Sequence, residues 1–425
     1  MKTVYRIRPG VKVRKVPLRR HQRLPGLADV ETTVELLQAL IPLGLLAAEE
    51  LLQQEVTQLV GAPYQRQGRP PGLTRWTLQP GSIYLADQKL PLRVPRVRHR
   101  RLGQEIPLGT YQRLQQPRQA DRGVLLKVLR GLSCRAYAEC AEAVPAAFGL
   151  SPSTISRRFI RASTRKLQEL CERRLDPYDF VALILDGKTF AEDEMVIALG
   201  ITLSGEKVIL GFVQTGTENA QVCSAFLREL LERGLCTDRG LLCVIDGGKG
   251  LRTAIRQVFG PQAWVQRCQW HKRENVVAYL PKGQQAAWRR KLQQAYERPV
   301  YAEAKAALLR CRQELRLVNA SAVRSLDEGF EETLTLHRLG LFEALGRSLK
   351  TTNCLESLMA QVGQRTDKVD RWRTSDQKQR WVATALLDVE PRLRRIKGYR
   401  HLPALRTALT AALGVQEQSP SQEVA

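Results

Sequence analysis

The chain is short of acidic residues. In 425 residues, 42 Asp and Glu stand against 67 Lys and Arg, a net charge of +25. Such an excess points to a polyanionic partner. Long apolar runs are missing too. The greasiest stretch, residues 40–52, is interrupted by Pro42, Gly44, Glu49 and Glu50. It falls well short of the ~18 unbroken apolar residues of a membrane span, so a core helix and no membrane role are expected there. No Cys-x-x-Cys pair occurs: nine cysteines, an odd number, lie scattered at 134, 140, 171, 223, 236, 243, 268, 311 and 354. That excludes a disulfide framework and fits a reduced, intracellular protein. The first 20 residues carry eight basic and no acidic side chains. No apolar stretch follows them, so no secretory signal is expected.

What remains is globular in composition, 43% hydrophobic and 26% charged, with length for two to four domains and a sizeable core. Residues 5–18 read as a basic arm punctuated by Pro9, Gly10 and Pro17. Leu36, Leu37, Leu40, Leu43 and Leu51 recur at helical spacing within residues 31–60. A Pro- and Gly-rich linker at 61–72 leads to weak alternation over 82–98, a small hairpin. Arg93, Arg96, Arg98, Arg100 and Arg101 follow without evident acidic partners. They suit either a solvated loop or phosphate contact.

Residues 121–175 read as a helix-turn-helix DNA-binding region. One helix fits residues 121–130, and a second, capped by Ser133, fits 135–144. Then Gly149 permits a turn, Ser151 is a good N-cap and Pro152 suits the first helical position. Leu150, Ile155 and Phe159 would face inward. Ser153, Thr154, Ser156, Arg157, Arg158 and Arg161 would face outward, a set suited to base edges and phosphates. A three-helix packing module without DNA contact is the plainer alternative.

Beyond residue 175 the pattern changes. Apolar runs at 180–185, 195–201 and 207–213, a helix at 220–233 and a further run at 241–245 give three strands, a helix and a strand. That is the order of an α/β RNase H-like fold. The first and last of these runs end in Asp186-Gly187 and Asp246-Gly247. Ligands of open α/β sheets gather at the carboxyl ends of strands. If the strands are neighbours, the two carboxylates suit one or two hard divalent cations, Mg²⁺ or Mn²⁺, acting in phosphoryl displacement. A strand-end Asp-Gly is also a common turn. A third carboxylate is needed, and spacing alone does not choose it. Thr352-Asn353-Cys354-Leu355-Glu356 is suggestive, with a capping Thr and with Asn353 and Glu356 on one face. An exposed Glu favoured by the helix dipole is the alternative.

Asp186-Gly-Lys, Asp246-Gly-Gly-Lys-Gly, Cys268-Gln-Trp-His271 and Thr352-Asn-Cys-Leu-Glu356, in that order, resemble the motifs of the Mutator-type bacterial insertion-sequence transposases. The resemblance runs from about residue 120 to 400. It implies an RNase H-like Asp-Asp-Glu catalytic domain with an all-α insertion. Asp186, Asp246 and Glu356 would then be catalytic and metal-ligating, and would hold two Mg²⁺ or Mn²⁺ ions. The implied organisation is a basic region at 1–120, the helix-turn-helix at 121–175, catalytic core at 176–283, helical insertion at 284–340, core with the Glu helix at 341–400 and a tail at 401–425. Met359 stands where the family often has Asn.

Cys268 and His271 form half a zinc site, but the nearest other histidine, His337, is alone. Packing by Cys268 and polar contact by His271 are expected instead. Lys249, His271, Lys272, Arg273 and Asn353 are the candidate DNA contacts of the catalytic part. The loop after Asp246 lacks the spacing of an ATP-binding phosphate loop. Trp372 and Trp381 sit among cations, suited to base stacking or, better for Trp381, to a core. The resemblance implies a cytoplasmic, nucleoid-associated enzyme that binds double-stranded DNA at terminal inverted repeats and at target sites, as a homodimer or larger assembly. A regulator without catalysis and a nuclease of the same fold are the alternatives.

Overall fold

The computed structural model describes residues 3–6, 14–17, 40–65, 72–85, 88–116, 118–141, 148–216 and 219–414. The chain divides into two units, 1–124 with 133–156, and 125–132 with 157–425. Both helices and sheets are present, so the protein is mixed α/β. Among the described residues no helix is long and apolar enough to cross a membrane. All nine cysteines are unbonded, as their scatter predicts.

In the first unit, strands β1 (Thr3–Arg6) and β2 (Arg14–Pro17) pair antiparallel. The remainder of the basic arm lies outside the described residues. Helix α1 (Leu40–Val60) packs on a three-stranded sheet of β3 (Leu73–Leu85), β4 (Gln88–His99) and β5 (Glu105–Ile106). Ala48, Leu52, Val56 and Val60, four residues apart, form its buried stripe against Ile83, Leu92, Val94 and Val97. Leu43 and Leu51, two of the leucines at helical spacing, are exposed. The face that meets the sheet decides burial, and smaller side chains hold that face over four turns. Glu55 of α1 caps α2 (Gly109–Leu114), accepting from the amides of Gly109 and Thr110 at 2.8 and 3.0 Å.

The hairpin starts nine residues before its expected beginning, because the first half of β3 (Arg75, Trp76, Gln79) is polar and hides the alternation. Its arginines are not without partners. Arg96 makes a two-pronged ion pair with Glu105. Arg98 donates to the Gly103 carbonyl at 2.6 Å and lies 4.8 Å over the Trp76 ring.

Helix α3 (Arg118–Leu129) forms where expected. The next helix does not. Ser133 accepts from the Ala136 amide at 3.0 Å, the cap foreseen for it. Yet residues 134–140 form only turns, with three-residue bonds from Cys140 to Tyr137 at 3.3 Å and from Ala141 to Ala138 at 3.4 Å. The four-residue bonds of an α-helix do not take over there. Residues 142–147, the rest of that expected helix, lie outside the described residues. Helix α4 (Pro152–Cys171) begins where Gly149, Ser151 and Pro152 place it. Gly149 takes φ +88°, and Ser151 Oγ accepts from the Thr154 amide at 3.4 Å.

The second unit centres on a five-stranded sheet in the order β10-β9-β6-β7-β8. Strands β6 (Phe180–Phe190), β7 (Asp193–Thr202) and β8 (Lys207–Thr215) form an antiparallel meander. After α5 (Ala220–Glu232), β9 (Leu241–Ile245) returns parallel to β6. After α6 (Lys249–Phe259), β10 (Ala263–Arg267) lies parallel to β9. Leu183, Leu185, Val196, Leu241 and Cys243 bury one sheet face against Phe226, Leu230, Ile255 and Phe259 of the two helices. Period-two alternation sends Asp186 to the other face.

A helical body follows: α7 (Gln269–Ala278), α8 (Lys282–Tyr296), α9 (Tyr301–Arg316), α10 (Ala320–Asp327), α11 (Thr335–Arg338) and α12 (Phe342–Leu349). Trp288, Leu292, Tyr296, Leu308, Leu315 and Leu326 are part of a separate core shared by α7 to α10. The chain then returns to the sheet with α13 (Asn353–Thr366), which packs on β6, and α14 (Ser375–Val389), which packs on β8. The expected C-terminal tail is in fact a docked helix, α15 (Leu402–Ala412). Its Leu402, Leu405 and Leu409 are buried, and Arg406 donates to the carbonyls of Phe180 and Gly240 at 2.5 and 2.7 Å. Residues 415–425 lie outside the described residues.

Candidate active site

The sheet register brings the two Asp-Gly sequences together. Leu185 of β6 pairs with Ile245 of β9, and the next residue on each parallel strand is Asp186 and Asp246. Neighbouring strands lie about 4.8 Å apart, so the two carboxyls share one end of a strand pair. The strand does not stop at Asp186 as expected. It continues to Phe190 because β7 goes on pairing with it, from Asp186↔Ile197 to Phe190↔Asp193. Asp246 does end its strand: Oδ1 accepts from the Gly248 amide at 2.9 Å, turning the chain into α6. Gly247 takes φ +113°, and a Cβ there would collide with the Arg267 guanidinium, which donates to the Gly247 carbonyl at 2.7 Å.

Helix α13 delivers Glu356 to the same face. The Glu356 carboxylate has two basic groups near Oε1: Lys188 Nζ at 3.8 Å and His271 Nε2 at 3.6 Å. Lys188 Nζ also lies 3.4 Å from Asp186 Oδ2. Thr352 occupies the N-cap position of α13 without capping it. Its buried hydroxyl instead lies 3.5 Å from His271 Nδ1. The capping expectation fails because the site takes the hydroxyl.

Electrostatics follow from this convergence. Burial pushes the Asp186 carboxyl up to about 7; Lys188 pulls against it and Asp246 adds to it. Its Oδ2 is buried without a hydrogen-bond partner. The hydrogen bond to Cys268 raises His271 above the usual histidine value, burial opposing and Asp246 assisting. Burial works to raise the Cys268 thiol, but the His271 contacts outweigh it and the thiol lies below its ordinary value. Cys268 is buried, as expected of a packing residue, and its amide donates to the Ile245 carbonyl at 2.7 Å. Among the described residues no group of three His, Cys, Asp or Glu is arranged to hold a metal ion.

Several expected DNA contacts are used elsewhere. Lys272 is buried, and its ammonium donates to the carbonyls of Ser325 and Glu328 at 2.7 Å each. Arg273 is half-buried between Glu274 and Gln293, at 3.0 Å from each. Arg158, expected outward, is buried. Ser153, Arg157 and Arg161 are exposed, and Thr154 and Ser156 are half-buried. Lys249 and Asn353 are exposed at the first positions of α6 and α13. Of the later cations, Arg365 binds Asp388 at 2.7 Å and Arg380 binds Asp376 at 2.8 Å. Trp381 belongs to the core, 4.7 Å from Phe159 and 6.1 Å from Trp372 between ring centres.

Lys188 and Thr352 escaped sequence reasoning. A signal for Lys188 existed: it stands two residues after Asp186 on a strand, hence on the same face. Thr352 looked like an ordinary cap.

Residues 27–393 match the family described as Transposase, Mutator family. The chain belongs to that family. Among curated relatives, it is 26% identical over 324 residues to the transposase for insertion sequence element IS256 in transposon Tn4001 of Staphylococcus aureus, covering 71% of this chain and 77% of that one. It is 30% identical over 288 residues to the transposase for ISRM5 of Rhizobium meliloti, covering 65% and 69%. With the transposase for IS905 of Lactococcus lactis it shares 26% over 352 residues, covering 80% and 86%. As a member of the Mutator family the chain is a transposase.

Proposed function

We propose that this transposase binds the ends of an insertion sequence and catalyses divalent-metal-dependent cleavage and strand transfer of DNA on an RNase H-like core. The observation that carries the proposal is the meeting of Asp186, Asp246 and Glu356 on one sheet face, although 60 and 110 residues separate them along the chain. The strand order β10-β9-β6-β7-β8 and the separate helical body between β10 and α13 support the fold reading.

The donors suit a hard cation. They are carboxylate oxygens, one of them the buried Oδ2 of Asp186, which makes no hydrogen bond. Asp186, Asp246 and Glu356 are the residues that would hold Mg²⁺ or Mn²⁺. When bound, such ions lower the pKa of a nucleophilic water and offset charge on a leaving oxygen. The chain's own groups do the rest. Asp186 is protonated for part of the population near neutral pH, so it can hold or release a proton at Oδ2. Lys188 offsets the charge of Glu356 and, with His271 3.6 Å from Oε1, keeps its carboxylate turned toward Asp186. Lys249 at the start of α6 is exposed and suited to a phosphate oxygen. Ser153, Arg157 and Arg161 along the first half of α4 suit duplex DNA, with binding that weakens steeply as salt rises. Two element ends must be held together, which favours a dimer or larger assembly.

Asp186→Asn, Asp246→Asn and Glu356→Gln are each expected to abolish Mn²⁺- or Mg²⁺-dependent cleavage and strand transfer on element-end DNA. Retarded migration of the same DNA should persist in all three. Full cleavage by Glu356→Gln would remove that residue from the cluster. Binding without any cleavage by the unaltered chain would favour a regulator.

A further inference from the structure

Lys188 closes the Asp186-Gly-Lys sequence, and no role was assigned to it from the sequence. Its position follows from the strand. Asp186 and Lys188 are two residues apart on β6 and face the same side. Gly187 between them faces the other side, where a Cβ would collide with the Glu194 carboxylate. The antiparallel pairing of β6 with β7, Lys188↔Met195, holds Lys188 at the carboxylates. Its Nζ stands 3.4 Å from Asp186 Oδ2 and 3.8 Å from Glu356 Oε1, and its side chain is 30% exposed. Asp186 Oδ2 nevertheless makes no hydrogen bond. The Lys188–Asp186 contact is an ion pair at 3.4 Å, and the one to Glu356 is longer, at 3.8 Å.

We infer that the Lys188 ammonium is the counter-ion of the carboxylate cluster in the metal-free protein, and that it competes directly with the divalent cation for Asp186 and Glu356. The inference rests on the metal-centre reading above. An ammonium and a hard cation seek the same oxygens, and both cannot sit between the same two carboxylates. Without Lys188, the like charges of Asp186 and Glu356 would repel one another unscreened. With it, they are drawn around a monovalent group through long contacts. The contacts are loose, and the four-carbon stem can carry the ammonium outward without moving the backbone. Loading then needs no rearrangement of the sheet. Lys188 is a positioning residue in this role. It keeps the carboxylates of a cationic protein gathered until the ion arrives, at a cost in ion affinity.

The test is Mn²⁺ binding by the full chain without DNA, read from the electron paramagnetic resonance of free Mn²⁺ at about pH 8. Lys188→Met and Lys188→Gln are each expected to bind Mn²⁺ about tenfold more tightly than the unaltered chain. Lys188→Arg, which keeps the charge, should stay within about twofold. Asp186→Asn supplies the control for the site, and circular dichroism checks that each variant is folded. If Asp186→Asn removes binding while the two neutral Lys188 variants bind no more tightly than the unaltered chain, the competition is refuted and the metal centre stands. If neither the unaltered chain nor the Lys188 variants show Mn²⁺ binding that depends on Asp186, the metal-centre reading fails and the inference fails with it.

Discussion

Asp186→Asn should stabilise the metal-free protein, and more so at higher pH. In the folded chain, burial holds the Asp186 carboxyl at about 7, against an ordinary value of 3.8. A raised carboxyl pKa means the folded state binds the proton more tightly than the unfolded state does. The stabilisation it brings is complete below 3.8 and is lost as pH rises toward about 7. The interval is roughly three pH units, and at about 1.4 kcal/mol per unit the full loss is about 4 kcal/mol. At about pH 5.5 roughly half of it has accrued, and by about pH 8 nearly all of it. Asparagine keeps the shape and carries no charge, so it escapes the loss. Its advantage over aspartate should therefore widen by about 2 kcal/mol between those two pH values. Urea unfolding of both proteins with chelator present measures this directly. An advantage that is equal at the two pH values, or that shrinks toward higher pH, would refute the account of Asp186 as a carboxyl held up by burial. Divalent cation should reverse the order at about pH 8, because only aspartate gains from the ion.

Trp381→Ala is expected to destabilise the second unit by about 3–5 kcal/mol, since the ring fills the space between Phe159 and Trp372; a variant of normal stability with weakened DNA binding would return Trp381 to base stacking. Lys272→Met strips two helix-end carbonyls, those of Ser325 and Glu328, of a charged donor. A loss of about 1–3 kcal/mol in thermal or urea unfolding is expected. DNA affinity and its salt dependence should be unchanged for the folded fraction, whereas a shallower salt slope would mark Lys272 as a phosphate contact.

How much of this was legible depended on how local the cause was. The strands at 180–185 and 241–245 are continuous apolar runs, the pattern of strands covered on both faces, and β9 lies where that pattern put it. β6 ran past its expected end because its last residues are held by the partner strand, and pairing leaves no mark on the polar sequence Gly187-Lys188-Thr189. Helix α4 was readable from Gly149, Ser151 and Pro152. The helix expected at 135–144 was not, since its cap is present but the bonds beyond it stay those of turns. The face of α1 was misread because large leucines drew attention from the Ala48, Leu52, Val56 and Val60 stripe that the sheet covers.

By itself, the sequence determined the charge of the protein, the two Asp-Gly sequences after apolar runs, the three-strand, helix, strand order over 180–245 and the motifs that resemble one transposase family. Each of these rests on residues within a few positions of one another. Only the tertiary structure decided which cations stay available. Lys272, Arg365 and Arg380 look alike in sequence to cations that could meet phosphate. Packing nonetheless directs them to carbonyls and carboxylates inside the fold, because a buried charge must find a partner. The same holds for Lys188. One strand register and one helix returning after 110 residues set it between Asp186 and Glu356.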